Sequence, residues 1–377
     1  MTPMCERISQ DDPTPIFGLT KAQLHPIVTE VAGEPAAAFD IAIEHRVRGR
    51  HGFSGEKVIP TFRYQTRSGR RGEMVVFVKR RYEDHPGYRE AHHYTYLTRH
   101  GAPVARLYGA LTDDQHREIL FLEHLDVVTE LDLPFAETQQ EPKRFPAYLA
   151  AFARFHAVEP CDEYAARLHE DMAQREWGPW WEESKLRGNA ARILESVWEH
   201  ATRGELGERV AALCQEARGT LGLLHGLVGR WAGAVSKLPI GLAHSDCYPD
   251  CVGWRSATRE AVIFDLEDVG LGPRFFDVAP WVAPPDEVQP RCWPREKLAR
   301  HYLSHYEQQG GGHVPVAQFL EDGRACWLIW VILEMEAYLE RALRGPADRT
   351  MRDSQEFRRR HQDGVHRHLH LLLAEAS

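Results

Sequence analysis

Two aspartates carry the clearest chemical signal in this sequence. Asp246 lies in a loop, His244-Ser245-Asp246-Cys247-Tyr248-Pro249-Asp250-Cys251, that follows the apolar step Gly241-Leu242-Ala243. Asp265 ends the short apolar run Val262-Ile263-Phe264 and leads into Leu266-Glu267-Asp268. Phosphoryl transfer needs two carboxylates in such settings. One orients or deprotonates the acceptor hydroxyl, and the other holds Mg2+ against the nucleotide phosphates. Asp246 fits the first role and Asp265 the second. His244 stands where a ring could brace the loop by hydrogen bonding to backbone or to an aspartate.

The elements that must hold these residues are legible in outline. Residues 1–20 read as a loose lead-in, and Lys21–Val31 as a helix. Short apolar runs then alternate with glycines and charges. Met74-Val75-Val76-Phe77-Val78-Lys79 is a buried strand rich in β-branched residues. Ser68-Gly69-Arg70-Arg71-Gly72 before it reads as a hairpin turn. Tyr88–His100 follows as a helix, then Arg106–Ala110 and Glu118–Glu123 as strands. Beyond Leu125 the pattern turns helical, with Phe145–Ala157 strongly periodic, two helices within Ala190–Leu224, and helices from Pro294 onward. The expected division is an extension over 1–40, a β-rich lobe over 41–125 and a helical lobe over 126–377.

In this order the segments resemble the aminoglycoside phosphotransferase and choline kinase family. His244, Asp246 and Pro249 match its catalytic loop in register, and Ile263-Phe264-Asp265-Leu266-Glu267 matches its metal motif. Phe276-Asp277-Val278-Ala279 resembles the Asp-Leu-Ala segment that follows, with Asp277 bracing the loop. The resemblance implies an α+β, bilobal protein-kinase-like fold with a small β-rich N-lobe and a large, mainly helical C-lobe. It implies ATP or GTP and Mg2+ as cofactors, and a small hydroxylated molecule as acceptor. Lys79 would pair with the nucleotide phosphates and Glu90 with Lys79. The loop Gly52-Phe53-Ser54-Gly55, through Gly52, Ser54 and Gly55, would bring backbone N–H groups to the phosphates. Leu122-Glu123-His124-Leu125 resembles the hinge, where Glu123 and Leu125 would bind the nucleotide base through their backbone.

One departure stands out. The family places Asn five residues after the catalytic Asp, as a second metal ligand. Cys251 occupies that position here, preceded by Asp250. A thiol is a poor ligand for a hard cation. Three outcomes stay open: Asp250 supplies the oxygen, the enzyme works with one well-held metal, or the chain is a catalytically degenerate member that binds a small molecule or performs another transfer. A protein kinase is disfavoured by the lack of a clear Asp-Phe-Gly and Ala-Pro-Glu pair. Trp177, Trp180 and Trp181 either line an acceptor pocket or pack the helical lobe. Glu334, Glu336 and Glu340 either meet a cationic acceptor or form a solvated face.

Composition bounds these readings. The chain has 377 residues, is 43% hydrophobic and 27% charged, and carries a net charge of −9. That suits a folded enzyme with a sizeable core and argues against a nucleic-acid partner. No stretch reaches the roughly 18 apolar residues of a membrane span. The seven cysteines show no CxxC pair, and read as mostly reduced thiols of a cytoplasmic protein.

Overall fold

The computed structural model describes residues 14–47, 55–81, 90–125, 139–174, 179–246, 251–255, 258–344 and 354–376. It opens with α1 (Lys21–Ala32), whose start is a capping box between Thr20 and Gln23 and whose end is Gly33 in the left-handed region. Strands β1 (Ala36–Val47), β2 (Gly55–Thr66) and β3 (Arg71–Arg81) follow, then α2 (Glu90–Arg99), β4 (Leu107–Thr112) and β5 (Glu118–Glu123). These strands form one antiparallel sheet in the order β1-β2-β3-β5-β4. The hairpin joining β2 to β3 turns at Ser68-Gly69, where Gly69 has φ 91°.

Alternation along the strands sorts the side chains between two cores. Val58, Phe62, Val76, Val78, Ile119 and Phe121 pack with Leu24, Ile27, Val28 and Val31 of α1 on one face. Leu120 and Leu122 turn to the other face and join the core of the helical part. Lys79 and Phe77, alternating with Val76 and Val78, face that second side as well.

The remainder is mainly helical: α3 (Arg144–His156), α4 (Asp162–Gln174), α5 (Glu183–Thr202), α6 (Gly207–Glu216) and α7 (Leu221–Val235). Two small antiparallel pairs interrupt it. Strand β6 (Ile240–Ala243) pairs with β9 (Gly270–Pro273), and β7 (Val252–Arg255) with β8 (Glu260–Ile263). Helices α8 (Ala279–Val282), α9 (Arg295–Gln308), α10 (Val316–Arg344) and α11 (Ser354–Ala374) complete the chain. The architecture is the expected α+β, two-lobed one. Limits of α1, α2, α3 and β4 differ from the sequence reading by one or two residues, whereas the stretch read as two helices within Ala190–Leu224 holds parts of three, α5, α6 and α7, running from Glu183 to Val235. Among the described residues no helix is long and apolar enough to cross a membrane.

The two parts are stitched beside β8. Ala105 N–H donates to Ile263 O at 2.9 Å, and Ile263 N–H to Pro103 O at 2.8 Å. Arg255 of β7 grips Glu123 at the end of β5 with both carboxylate oxygens engaged, at 2.7 and 2.9 Å from Nη2. Gly253 lets β7 approach this joint, since a Cβ there would lie 2.4 Å from Leu125 Cδ1.

Candidate active site

The site is built where β3, α2 and the turn after β8 converge. Lys79 is 2% exposed and Glu90 is fully buried. The Lys79 ammonium donates to Glu90 Oε2 at 3.1 Å, to Asp265 Oδ1 at 2.5 Å and to Glu267 Oε2 at 2.8 Å. Helix α2 holds the turn in place from two positions one helical turn apart. Glu90 Oε1 accepts from Leu266 N–H, and Tyr94 OH accepts from Asp265 N–H, both at 3.1 Å. Glu118 caps α2 by accepting from Glu90 N–H at 3.1 Å. Asp265 itself sits in the left-handed region at φ 61°, a conformation that Asp tolerates better than most residues.

Electrostatics follow from this crowding. Burial works against the Lys79 charge, but Glu90, Asp265 and Glu267 together hold its pKa well above the ordinary lysine value. Burial would raise Asp265, and the Lys79 charge and hydrogen bond overcome it, leaving the carboxyl below its usual range. Glu90 is pushed up, by burial first and by the neighbouring carboxylates next, against the pull of Lys79. Ligand oxygens of Glu90, Asp265 and Glu267 lie within 4.8 Å of one another, the one such group of acidic, His or Cys ligands among the described residues. Hard oxygens so clustered suit a hard divalent cation.

The segment His244-Ser245-Asp246 is held by a second network. Asp277 is buried, and accepts from His244 N–H at 2.5 Å and from Ser245 N–H at 3.3 Å. His156 Nε2 donates to the same Asp277 carboxylate at 3.2 Å, while its Nδ1 meets Tyr302 OH at 2.8 Å. Burial raises the Asp277 carboxyl, yet the His156 hydrogen bond and the charges of His156 and His244 bring it below the usual range. The His244 ring, 0% exposed, contacts Phe264 O through Nε2 at 3.0 Å. Phe264 N–H donates to Cys251 O at 2.9 Å. The Cys251 thiol in turn donates to Asp246 O at 2.8 Å, with Asp246 Oδ2 4.0 Å from the sulfur. The backbones bearing Asp246 and Asp265 are thereby tied through His244, Phe264 and Cys251.

Of the residues singled out in the sequence, Lys79, Glu90 and Asp265 form one bonded cluster, and His244, Asp246 and Cys251 form a second one beside it. Cys251 is 3% exposed, and its sulfur is no member of the carboxylate group. Glu123 donates its N–H to Arg106 O at 2.9 Å, and Leu125 is buried against the larger core. Gly55 opens β2. Gly52, Ser54 and Asp250 lie outside the described residues, as does Trp177. Trp180 packs edge-on to Phe276 at 4.6 Å and to Trp181 at 6.0 Å, as core aromatics do. Glu336 pairs with Arg192 at 2.7 Å and Glu334 with His368 at 2.8 Å, so these carboxylates are engaged within the helical lobe.

Three residues of the cluster had no role assigned from sequence. Glu267 stands two positions after Asp265 in the quoted motif. Tyr94 is one helical turn after Glu90. Glu118 is distant in sequence, and only the packing of β5 beside α2 reveals it.

The sequence profile of the phosphotransferase enzyme family (APH) matches residues 59–317. None of the curated proteins matches the chain in sequence. Among solved structures, an ethanolamine kinase from Plasmodium vivax is similar at 13% identity and TM-score 0.46, covering 92% of this chain and 83% of its own. An aminoglycoside-3'-phosphotransferase of type VIII is similar at 18% identity and TM-score 0.34, covering 80% and 98%. A thermostable mutant of aminoglycoside phosphotransferase APH(4)-Ia, in ternary complex with ADP and hygromycin B, is similar at 14% identity and TM-score 0.36, covering 92% and 98%.

Proposed function

The chain belongs to the phosphotransferase enzyme family, and from that premise we propose that it transfers the terminal phosphoryl group of ATP or GTP to a hydroxyl of a small molecule. The observation that carries this reading is the Lys79 ammonium bonded at once to Glu90, Asp265 and Glu267. A buried lysine among three carboxylates is an arrangement for handling a multiply charged ligand. It would be a costly way to stabilise a fold.

The residues fit the cofactors. Asp265, with Glu267 beside it, would hold Mg2+, which when bound supplies charge neutralisation across the nucleotide phosphates. Lys79 would bind the phosphates, and Glu90 would keep its ammonium in the cleft. Backbone groups of Glu123 and Leu125 would meet the base. Asp246 would orient the acceptor hydroxyl and take its proton. His244 and Asp277 fix the loop from which Asp246 projects, so the contribution is positioning plus charge stabilisation. Acceptors such as aminoglycoside-like antibiotics, other natural products and amino alcohols fit this chemistry, as does a cytoplasmic enzyme.

Cys251 favours a second reading, a degenerate member that binds a small molecule or performs another transfer. Its sulfur is spent on Asp246 O, and it offers no hard oxygen to a second metal. The test that separates the two is nucleotide turnover against a panel of hydroxylated acceptors, with ATP and with GTP. Acceptor-dependent product formation that Asp246→Ala removes, at nearly unchanged nucleotide affinity, is expected. Turnover unchanged in Asp246→Ala would strip Asp246 of its role, and Mg-independent or absent nucleotide binding would favour the second reading.

A further inference from the structure

Lys79 has three N–H donors, and the three carboxylates around it take one each. The register of the β2–β3 hairpin supplies a second ammonium. Lys57 is directly opposite Lys79. Residues directly opposite in an antiparallel pair share a face of the sheet. Their neighbours Val58 and Val78, also paired, turn to the face covered by α1 and are 4% and 0% exposed. Lys57 therefore faces the site with Lys79, and is itself half-buried.

This placement is unfavourable for folding alone. Like charges directly opposite one another destabilise a sheet. Burial lowers the Lys57 pKa first of all, and Lys79 lowers it further, while the fields of Asp265, Glu267 and Glu90 act in the opposite sense. Two ammoniums face three carboxylates here. One divalent cation and a nucleotide triphosphate would add more negative charge than positive.

We infer that Lys57 is a second phosphate-binding lysine of the cleft, contacting the terminal phosphates of a nucleoside triphosphate beside Lys79. Its charge would serve there while Cys251 offers no oxygen for a second metal. The inference rests on the nucleotide reading above, and asks for a contact that reading does not contain.

The experiment is calorimetric titration of ATP, ADP and adenosine into wild-type protein, Lys57→Met, Lys57→Gln and Lys57→Arg, each with Mg2+ and with EDTA. The neutral variants should lose about tenfold or more in ATP affinity. They should lose less for ADP and nothing for adenosine, the loss should be deepest in EDTA, and Lys57→Arg should keep most of the affinity. Should Lys57→Met fail to fold, Lys57→Gln carries the same comparison with a side chain of closer polarity, and Lys57→Arg reads the charge alone. Wild-type ATP binding with neutral variants within about twofold overturns the inference and leaves the nucleotide reading standing. An equal loss for ATP, ADP and adenosine also overturns it, since that marks a structural counter-ion. Failure of the wild-type protein to bind ATP, and GTP titrated in the same way, removes the nucleotide reading and this inference with it; binding of GTP alone moves the same comparison to GTP, GDP and guanosine.

Discussion

The Cys251 thiol meets the main-chain carbonyl of Asp246, and the Cys251 carbonyl takes the N–H of Phe264, one residue before Asp265. One side chain and its own backbone thus span the two acidic loops. Removing the thiol in Cys251→Ala should lower kcat about fivefold, the ratio that corresponds to one hydrogen bond of about 1 kcal/mol. Cys251→Ser should keep most of the rate. Cys251→Asn should raise Mg-dependent turnover by adding an oxygen donor, and steady-state kinetics at varied Mg2+ reads all three. No gain in Cys251→Asn would point to a repurposed cleft. Asp277 gives a pH prediction. Its folded carboxyl lies below the ordinary 3.8. A carboxyl depressed in the folded state contributes its full stability above the unfolded value and loses it as pH falls through the folded one. Asp277→Asn should therefore be less stable than wild type at pH 7, by about 1–3 kcal/mol. The gap should narrow as pH falls below about 4. Melting temperatures between pH 7 and pH 3 test it, and a gap independent of pH would contradict the account.

Among the elements, α2 and the β7–β8 pair do most to set the site. Helix α2 presents Glu90 and Tyr94 to consecutive backbone N–H groups of the turn after β8. Tyr94→Phe should cost about 1–2 kcal/mol, because it removes the buried acceptor of Asp265 N–H. It should also weaken Mg-dependent nucleotide binding, since Asp265 loses its anchor. Chemical denaturation and calorimetry read the two effects separately, and a variant equal to wild type in both would refute the anchoring role. Gly253 lets β7 lie against Leu125. Gly253→Ala must push that side chain away, and should cost about 1–3 kcal/mol and raise the KM for nucleotide. An unchanged KM would show that the joint does not shape the base site. These elements also show what the sequence could reveal. The strand ending at Lys79 and the helix beginning near Glu90 were readable because periodicity and β-branched residues act locally. The Lys57–Lys79 juxtaposition was within reach too, since a hairpin centred on Ser68 places the two lysines opposite each other. Glu118 and the Arg255–Glu123 grip were not, because those contacts depend on how separate elements pack in three dimensions.

At the scale of the whole molecule, a sheet covered by α1 and a helical body meet along β5, β7 and β8, and the charged cluster lies at that junction. Asp246 and Asp265 come from turns after β6 and β8, while Lys79 and Glu90 come from the sheet side. The site is complete only when both parts are in contact. A ligand that bridges them should stabilise the whole fold by mass action. Calorimetric titration of ATP into wild type and Asp265→Asn, each with Mg2+ and with EDTA, therefore tests the central claim most directly. The account predicts that Mg2+ strengthens ATP binding to wild type and that Asp265→Asn removes this increment. Equal affinity with Mg2+ and with EDTA in wild type, or an intact increment in Asp265→Asn, would contradict it.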